Sequence, residues 1–221
     1  MLVSELVQKT VQPLSTESQL FDIHAENYPD SMDYIPVVDA GKFIGLFPLK
    51  ELETEREVHT TIGQCHLERI LESVSENQHL FEVLVVFQKS GFNLLPVLGE
   101  DSEYEGFLVL ENVISVLSET YSFQADGGIL VLSVANHDYS LSEISRLIES
   151  NQAKILNVLV ASDPFSHQNL FIHIKINQID LSRIVATLER FEYNVVEIHH
   201  ISESNSLDKE RLDMLMKYLG I

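Results

Sequence analysis

Cys65 and His66 form an adjacent pair that could, by residue type, supply a nucleophile and a base. Catalytic partners are usually distant in sequence and meet only in the fold, so the pair reads as two isolated residues. Nine histidines raise the question of a metal. None stands in a His-x-x-x-His pair, and His199 and His200 are adjacent on an expected strand, so they point to opposite faces. His137 and Asp138 share a turn with no third ligand nearby in sequence. No metal site is expected. Neither Gly-x-x-x-x-Gly-Lys nor Gly-x-Gly-x-x-Gly occurs, and Gly127-Gly128 reads as a hinge between domains. No residue is assigned a catalytic role.

The elements that carry these residues belong to an acidic chain of 221 residues. It has 34 acidic and 14 basic side chains, a net charge of −20. Residues 1–124 hold 21 acids and 6 bases, and residues 125–221 hold 13 and 8. Phosphate backbones are bound by lysine and arginine that displace counterions, so neither nucleic acid nor an anionic membrane is an expected partner. No apolar run is long enough to span a bilayer, and the first ten residues lack the pattern of a signal peptide. With a single cysteine, a cytoplasmic location is expected.

The first half repeats. Ile35-Pro36-Val37-Val38 is followed by Gly45-Leu46-Phe47, and Leu95-Pro96-Val97-Leu98 by Gly106-Phe107-Leu108. Upstream, Thr16–Gln19 and Ser75–Gln78 both read as capping boxes opening a helix. In the second unit Leu80, Leu84 and Phe87 share a face and Gly91 stops the helix. A polar turn separates the two strands of each unit, and a short helix follows, 49–55 or 110–118. Each unit reads helix–strand–turn–strand–helix, too small to bury its sheet alone, so the two should pack together.

Pro-Val-Val-Asp, a turn, then Gly-aliphatic-aliphatic ahead of a helix resembles the CBS domain, here as a tandem pair over about residues 2–120. The resemblance implies a disc-like module that binds AMP or another adenosine-type nucleotide. It places ligand contacts at Ile35, Pro36 and Glu51 in the first repeat and at Ser73, Leu95, Pro96 and Asn112 in the second. Glu51 and Asn112 stand six residues after the glycine, where the family commonly has Asp. Pro48 and Val109 replace the family's Ser or Thr three residues after it. Pro13 stands at the upstream strand position held by Ser73 in the other repeat. With the hydroxyls missing and cations scarce, a low-charge adenosine compound is expected over ATP.

A different alternation begins after Gly127-Gly128. Strands are expected at 129–135, 155–161, 170–176 and 195–199, with a loop at 162–169. Between them lie a helix capped by Ser140, with Leu141, Ile144, Leu147 and Ile148 on one face, and a helix capped by Asp180. The order βαββαβ gives a ferredoxin-like split βαβ sheet. This half resembles the ACT domain, which implies amino-acid binding at a domain interface. Asp138-Tyr139-Ser140-Leu141 replaces the family's Asp-x-Pro-Gly, and Asn136, Asp138, Ser140 and Lys154 are the candidate contacts.

The expected architecture is α/β (α+β): CBS repeats at 1–57 and 58–124, an ACT-like domain at 125–201, and a linker with a C-terminal amphipathic helix at 202–221. Leu212, Leu215, Met216 and Leu219 share one face of that helix, which suits its own chain, a second subunit or an unidentified protein partner. The arrangement resembles acetoin-utilisation-type CBS–ACT regulatory proteins. The function expected is a non-enzymatic sensor acting through homodimer geometry. The alternative is a structural interaction module with degenerate pockets.

Overall fold

The computed structural model describes residues 1–29, 32–164 and 166–200. The expected helix at 207–219 lies outside the described residues. The chain divides into two compact units, Met1–Leu117 and Ser118–Ile221.

The first unit holds the two repeats. Strands β1 (Tyr34–Asp39) and β2 (Lys42–Pro48) form one antiparallel pair, and β3 (Leu94–Leu98) and β4 (Tyr104–Val109) form the other. The pairs share a register. Ile35 faces Phe47 and Leu95 faces Leu108, and a bulge follows Val37 in one and Val97 in the other. All four facing residues are fully buried. Sixty residues apart, Leu14 N–H donates to the Pro36 carbonyl and Val74 N–H to the Pro96 carbonyl. This use of the proline carbonyls tolerates a ring that removes the ladder N–H.

The leaders of the two repeats are exchanged. Residues 1–8 bond to the second repeat: Val3 N–H donates to the Gln78 carbonyl, and Gln8 and Phe107 exchange both backbone bonds. Residues 60–68 bond to the first, through Ile62 to Ser18 and a reciprocal pair between Glu68 and Leu46. Val3 therefore sits in a core with Leu80, Leu95 and Leu108, while Ile62 sits with Leu20, Ile35 and Phe47. A third cluster, of Met32, Leu46, Leu94, Phe107 and Val109, joins the repeats.

The capped helices differ from expectation. In the second repeat Ser75 and Gln78 close a turn, through Ser75 N–H to Gln78 Oε1 at 3.0 Å. The helix α2 (Leu80–Ser90) starts after His79, whose side chain accepts from Phe81 N–H. In the first repeat the matching stretch gives only 3₁₀ turns at Leu20–Asp22 and Ala25–Asn27. Its sequence, His24-Ala25-Glu26-Asn27-Tyr28-Pro29, lacks the apolar partners that Leu84 and Phe87 provide. Pro29 also disfavours helical geometry at Tyr28. The short helices after the strands are present as a 3₁₀ turn running into α1 (Leu52–Val58), and as α3 (Leu110–Ser118).

The second unit opens with α4 (Tyr121–Gln124) and continues through β5 (Gly128–Ala135), α5 (Leu141–Glu149), β6 (Ile155–Asp163), β7 (Ser166–Ile176), α6 (Ser182–Arg190) and β8 (Asn194–His200). The expected order βαββαβ is observed, and the four strands form one antiparallel sheet in the order β6-β7-β5-β8. Alternate residues Leu130, Leu132, Ile172 and Ile174 pack under Ile144, Leu147, Ile184 and Leu188 of the two helices. Leu141, expected on the buried face of α5, is 40% exposed because it opens the first turn. The expected loop at 162–169 is shorter: the ladder runs on until Asp163 faces Ser166. Gly127-Gly128 is no hinge. Both glycines are buried, and a Cβ on Gly127 would collide with the Ile176 carbonyl, so the pair serves close backbone approach.

Candidate functional site

Two clefts lie where each exchanged leader crosses the partner strand pair. The crossing needs glycine. A Cβ on Gly106, whose φ is +151°, would meet Gln8 O at 2.6 Å, and one on Gly45 would meet Glu68 O at 3.0 Å. The first cleft, about 720 Å³, is lined by Ile44, Cys65, His66, Leu67, Glu68 and Arg69. The second, about 210 Å³, is lined by Gln8, Lys9, Pro13, Tyr104 and Glu105 among others, and it shares three positions with the first: Gln8 for Glu68, Lys9 for Arg69 and Glu105 for Ile44. In backbone contacts Cys65 corresponds to Leu6: their N–H groups donate to Ile62 and Val3. Leu67 and Glu68 correspond to Val7 and Gln8, which pack on the two glycines. His66 is thus an extra residue in the first cleft's wall.

The charges differ too. Lys9 Nζ is 3.2 Å from Glu76 Oε1, whereas Arg69 forms no ion pair among the described residues. Partial burial first, then the carboxylates of Glu76 and Glu103, push Glu105 above the usual carboxylate range, against a lowering by Lys9. Burial raises the pKa of the Tyr104 hydroxyl above its ordinary value. Phe43 and Tyr104 stack with ring centroids 6.3 Å apart.

Cys65 is poorly suited to nucleophilic chemistry. Its thiol donates to the Thr61 carbonyl at 3.5 Å. Burial, followed by the nearby Glu55 carboxylate, pushes its pKa up to about 12, which suppresses the reactive thiolate.

The contacts expected in the first unit do not gather in one cavity. Ile35, Pro36, Leu95 and Pro96 are buried in the repeat cores and offer no accessible side chain. Glu51 and Asn112 are half-buried at the heads of the helices after β2 and β4, and Ser73 is exposed beside Val74. Of the cleft-lining residues, the repeat motif in the sequence contains only Pro13 and Gly106, and Cys65 and His66 stand out there only as an adjacent pair. The signal for the leader residues is the recurrence of Val7-Gln8-Lys9 as Leu67-Glu68-Arg69, sixty residues on.

In the second unit Ser140 is a helix cap, accepting from Glu143 N–H at 3.4 Å. Asn136 and Asp138 are exposed on the turn. Asp138, Glu143, Glu192 and Tyr193 line a cleft of about 390 Å³, where the Tyr193 hydroxyl donates to Glu143 at 3.2 Å. Asn136 and His137 line a neighbouring hollow with Gln168 and Asn169. Lys154 stands apart. It precedes Ile155, which faces Ile176 opposite Gly128, whereas the turn follows Ala135 at the other end of β5. Seven strand steps separate them by about 23 Å, and Lys154 pairs with Glu149 at 3.1 Å. His199 shares a face with Glu197, 2.8 Å away. Among the described residues no group of three or more His, Cys, Asp or Glu side chains is placed to hold a metal ion, and no helix is long and apolar enough to cross a membrane.

Residues 67–119 match the family model of the CBS domain. No curated protein matches the chain by sequence. Among solved structures, the chain is similar to the CBS domains of a transcriptional regulator from Streptococcus pneumoniae, at 16% identity over 52% of this chain and 98% of that one, with a TM-score of 0.45. A CBS domain pair/ACT domain protein from Thermotoga maritima gives 18% identity over 54% of this chain and 98% of that one, TM-score 0.45. CBSX2 in complex with AMP gives 16% identity over 52% and 95%, TM-score 0.44. Residues 67–119 thus carry a CBS domain, and the strand pair at 34–48 repeats its pairing register and its bulge.

Proposed function

We propose that the protein is a non-enzymatic regulatory module whose first unit is a CBS pair sensing a small adenosine-type ligand of low charge, such as AMP or adenosine. The observation that carries this reading is the crossing of leader and strand pair, which leaves a cleft of about 720 Å³ beside the matched CBS domain. That volume is within the usual range for small-molecule sites, about 300–1,000 Å³. The excess of acids over bases in residues 1–124, 21 against 6, favours AMP or adenosine over ATP. Thermal-shift titration tests the reading, since a ligand of the native state raises Tm. AMP raising Tm more than ATP, without metal ion, supports it. ATP winning overturns the charge argument, and no shift with any adenosine compound at millimolar concentration overturns the reading.

The second unit is proposed as the homodimer surface that transmits the ligand state. Strands β6 and β8 are the sheet's edges, and exposed edges are commonly covered or paired. Light scattering at twice the 25.1 kDa chain mass supports a dimer. An amino acid at the Asn136–Ser140 turn, as the ACT resemblance implies, would set its ammonium against Asp138. Its carboxylate would then face Glu143 and Glu192, so an amine without a carboxylate suits this cleft better.

The scaffold reading is favoured by one observation: the expected contacts Ile35, Pro36, Leu95 and Pro96 are absorbed into the cores. The same titration decides between the two.

A further inference from the structure

We infer that the pair holds one ligand rather than two, in the cleft of Ile44 and Cys65–Arg69, with Arg69 taking the ligand's anionic group. This deepens the sensing reading and rests on it. The two clefts share three equivalent positions, Ile44 and Glu105, Glu68 and Gln8, and Arg69 and Lys9, so equal occupancy is the simple expectation. Three observations separate them. The first concerns room. About 720 Å³ holds a drug-sized molecule, whereas about 210 Å³ falls below the range of such sites. The larger space lies along Cys65-His66-Leu67, whereas Leu6 and Val7, the counterparts of Cys65 and Leu67, do not line the smaller cleft.

The second concerns the wall. Ile44, 44% exposed, offers an apolar surface to the flat body of a ligand. The residue in its place in the other repeat is Glu105, whose carboxyl already stands against Glu76 and Glu103. An anion entering there would meet a third repulsion.

The third concerns the cation. Arg69 and Lys9 stand sixty residues apart at equivalent places. Lys9 is engaged by Glu76 at 3.2 Å, while Arg69 is exposed and forms no ion pair among the described residues. A guanidinium presents a donor fork suited to phosphate or carboxylate oxygens. One such cation, with Glu68 beside it, matches a ligand of one compact anionic group on an apolar or aromatic body.

Equilibrium dialysis of the full chain against AMP and against adenosine, with Arg69→Gln, Lys9→Gln and Ile44→Trp variants, tests the inference. One AMP per chain is expected. Arg69→Gln should weaken AMP at least tenfold and adenosine less than twofold. Lys9→Gln should change neither, and Ile44→Trp, which fills the cleft, should abolish both. Arg69 and Lys9 are exposed, so the two Gln variants are expected to keep the parent far-UV circular dichroism. Two AMP per chain, or sensitivity to Lys9 in place of Arg69, overturns the single cleft and leaves nucleotide sensing standing. Binding of neither compound at millimolar concentration overturns both.

Discussion

The two repeats of the first unit share their strands and differ in almost everything around them. Register, bulge position and the upstream bridge to Val37 or Val97 coincide. The helix before the strands is eleven residues in the second repeat and a pair of 3₁₀ turns in the first. Strand pairing is held by buried cross-strand contacts that fail together if the register slips by one residue. A helix on the surface of the unit has no such constraint and can be worn down. The first repeat substitutes a side chain for the missing helix: Arg56 of α1 donates from Nε to the Leu20 carbonyl at 2.9 Å and from Nη2 to the Ile23 carbonyl. Turn carbonyls that a helix would have satisfied internally are satisfied by a guanidinium instead.

The leader exchange gives the largest expected effect and the sharpest contrast. Ile62→Ala should destabilise the first repeat by about 2–5 kcal/mol, although Ile62 belongs by sequence to the second. Val3→Ala should cost about 2 kcal/mol in the second repeat, although it lies ahead of the first. Hydrogen exchange reads the difference. Ile62→Ala should lower protection in β1 and β2 first, and Val3→Ala in β3 and β4 first. Loss confined to the sequence-adjacent repeat in either variant would break the comparison.

Next comes Arg56. Its side chain is 19% exposed and tied to two backbone carbonyls and to Glu53 at 2.5 Å. Arg56→Ala should cost about 1–3 kcal/mol, the range for leaving buried acceptors unsatisfied. The second repeat, with its own helix, should be unaffected when denaturation is followed by exchange at α2. An Arg56→Lys variant should recover only part of the loss, because one ammonium cannot reproduce the fork.

The strands, the repeat and the order of the second unit were legible in the sequence because apolar periodicity and glycine or proline positions report on buried cores directly. The leader exchange was not. Val3, Leu6 and Ile62 carry the same apolar signature whichever repeat they join, and only spatial pairing distinguishes the two. The cleft was missed for a related reason. Motif positions such as Pro36 and Pro96 draw attention to the strand interior, where proline carbonyls fasten the backbone. The accessible groups, Ile44, His66 and Arg69, sit on segments whose pattern is ordinary until the crossing is known. Lys154 was grouped with the Asn136–Ser140 turn by sequence alone, and the length of β5 separates them.

Cys65 sharpens the comparison at smaller amplitude. It takes the place of Leu6 and packs beside Ile62 and Leu20 as a small apolar residue. Cys65→Ala should cost on the order of 1 kcal/mol. With the thiol pushed up from 9.0 to about 12, the thiolate fraction at pH 8 falls about a thousandfold. Alkylation by iodoacetamide should therefore be far slower in the native protein than in urea, and equal rates would show an accessible, ordinary thiol.

The smallest effect expected has the opposite sign, a gain. Glu105 replaces the apolar Ile44 of the other repeat, and its raised pKa marks a carboxylate held in unfavourable company. A folded-state pKa above the unfolded one means that the native state binds the proton more readily. The group's contribution to stability is then fully present below the unfolded pKa and is lost as pH rises through the folded one. At neutral pH Glu105 is charged and repelled by Glu76 and Glu103, so Glu105→Gln should raise Tm there. Below the carboxylate range the parent is already protonated, and the gain should vanish. Added salt should shrink it as well, because the group is solvent-accessible and its repulsions are screened. A Glu105→Gln variant no more stable than the parent at pH 7 in low salt would mean that Lys9, shared between Glu76 and Glu105, already neutralises the cluster. The two clefts would then differ in size and cation but not in the charge of their walls.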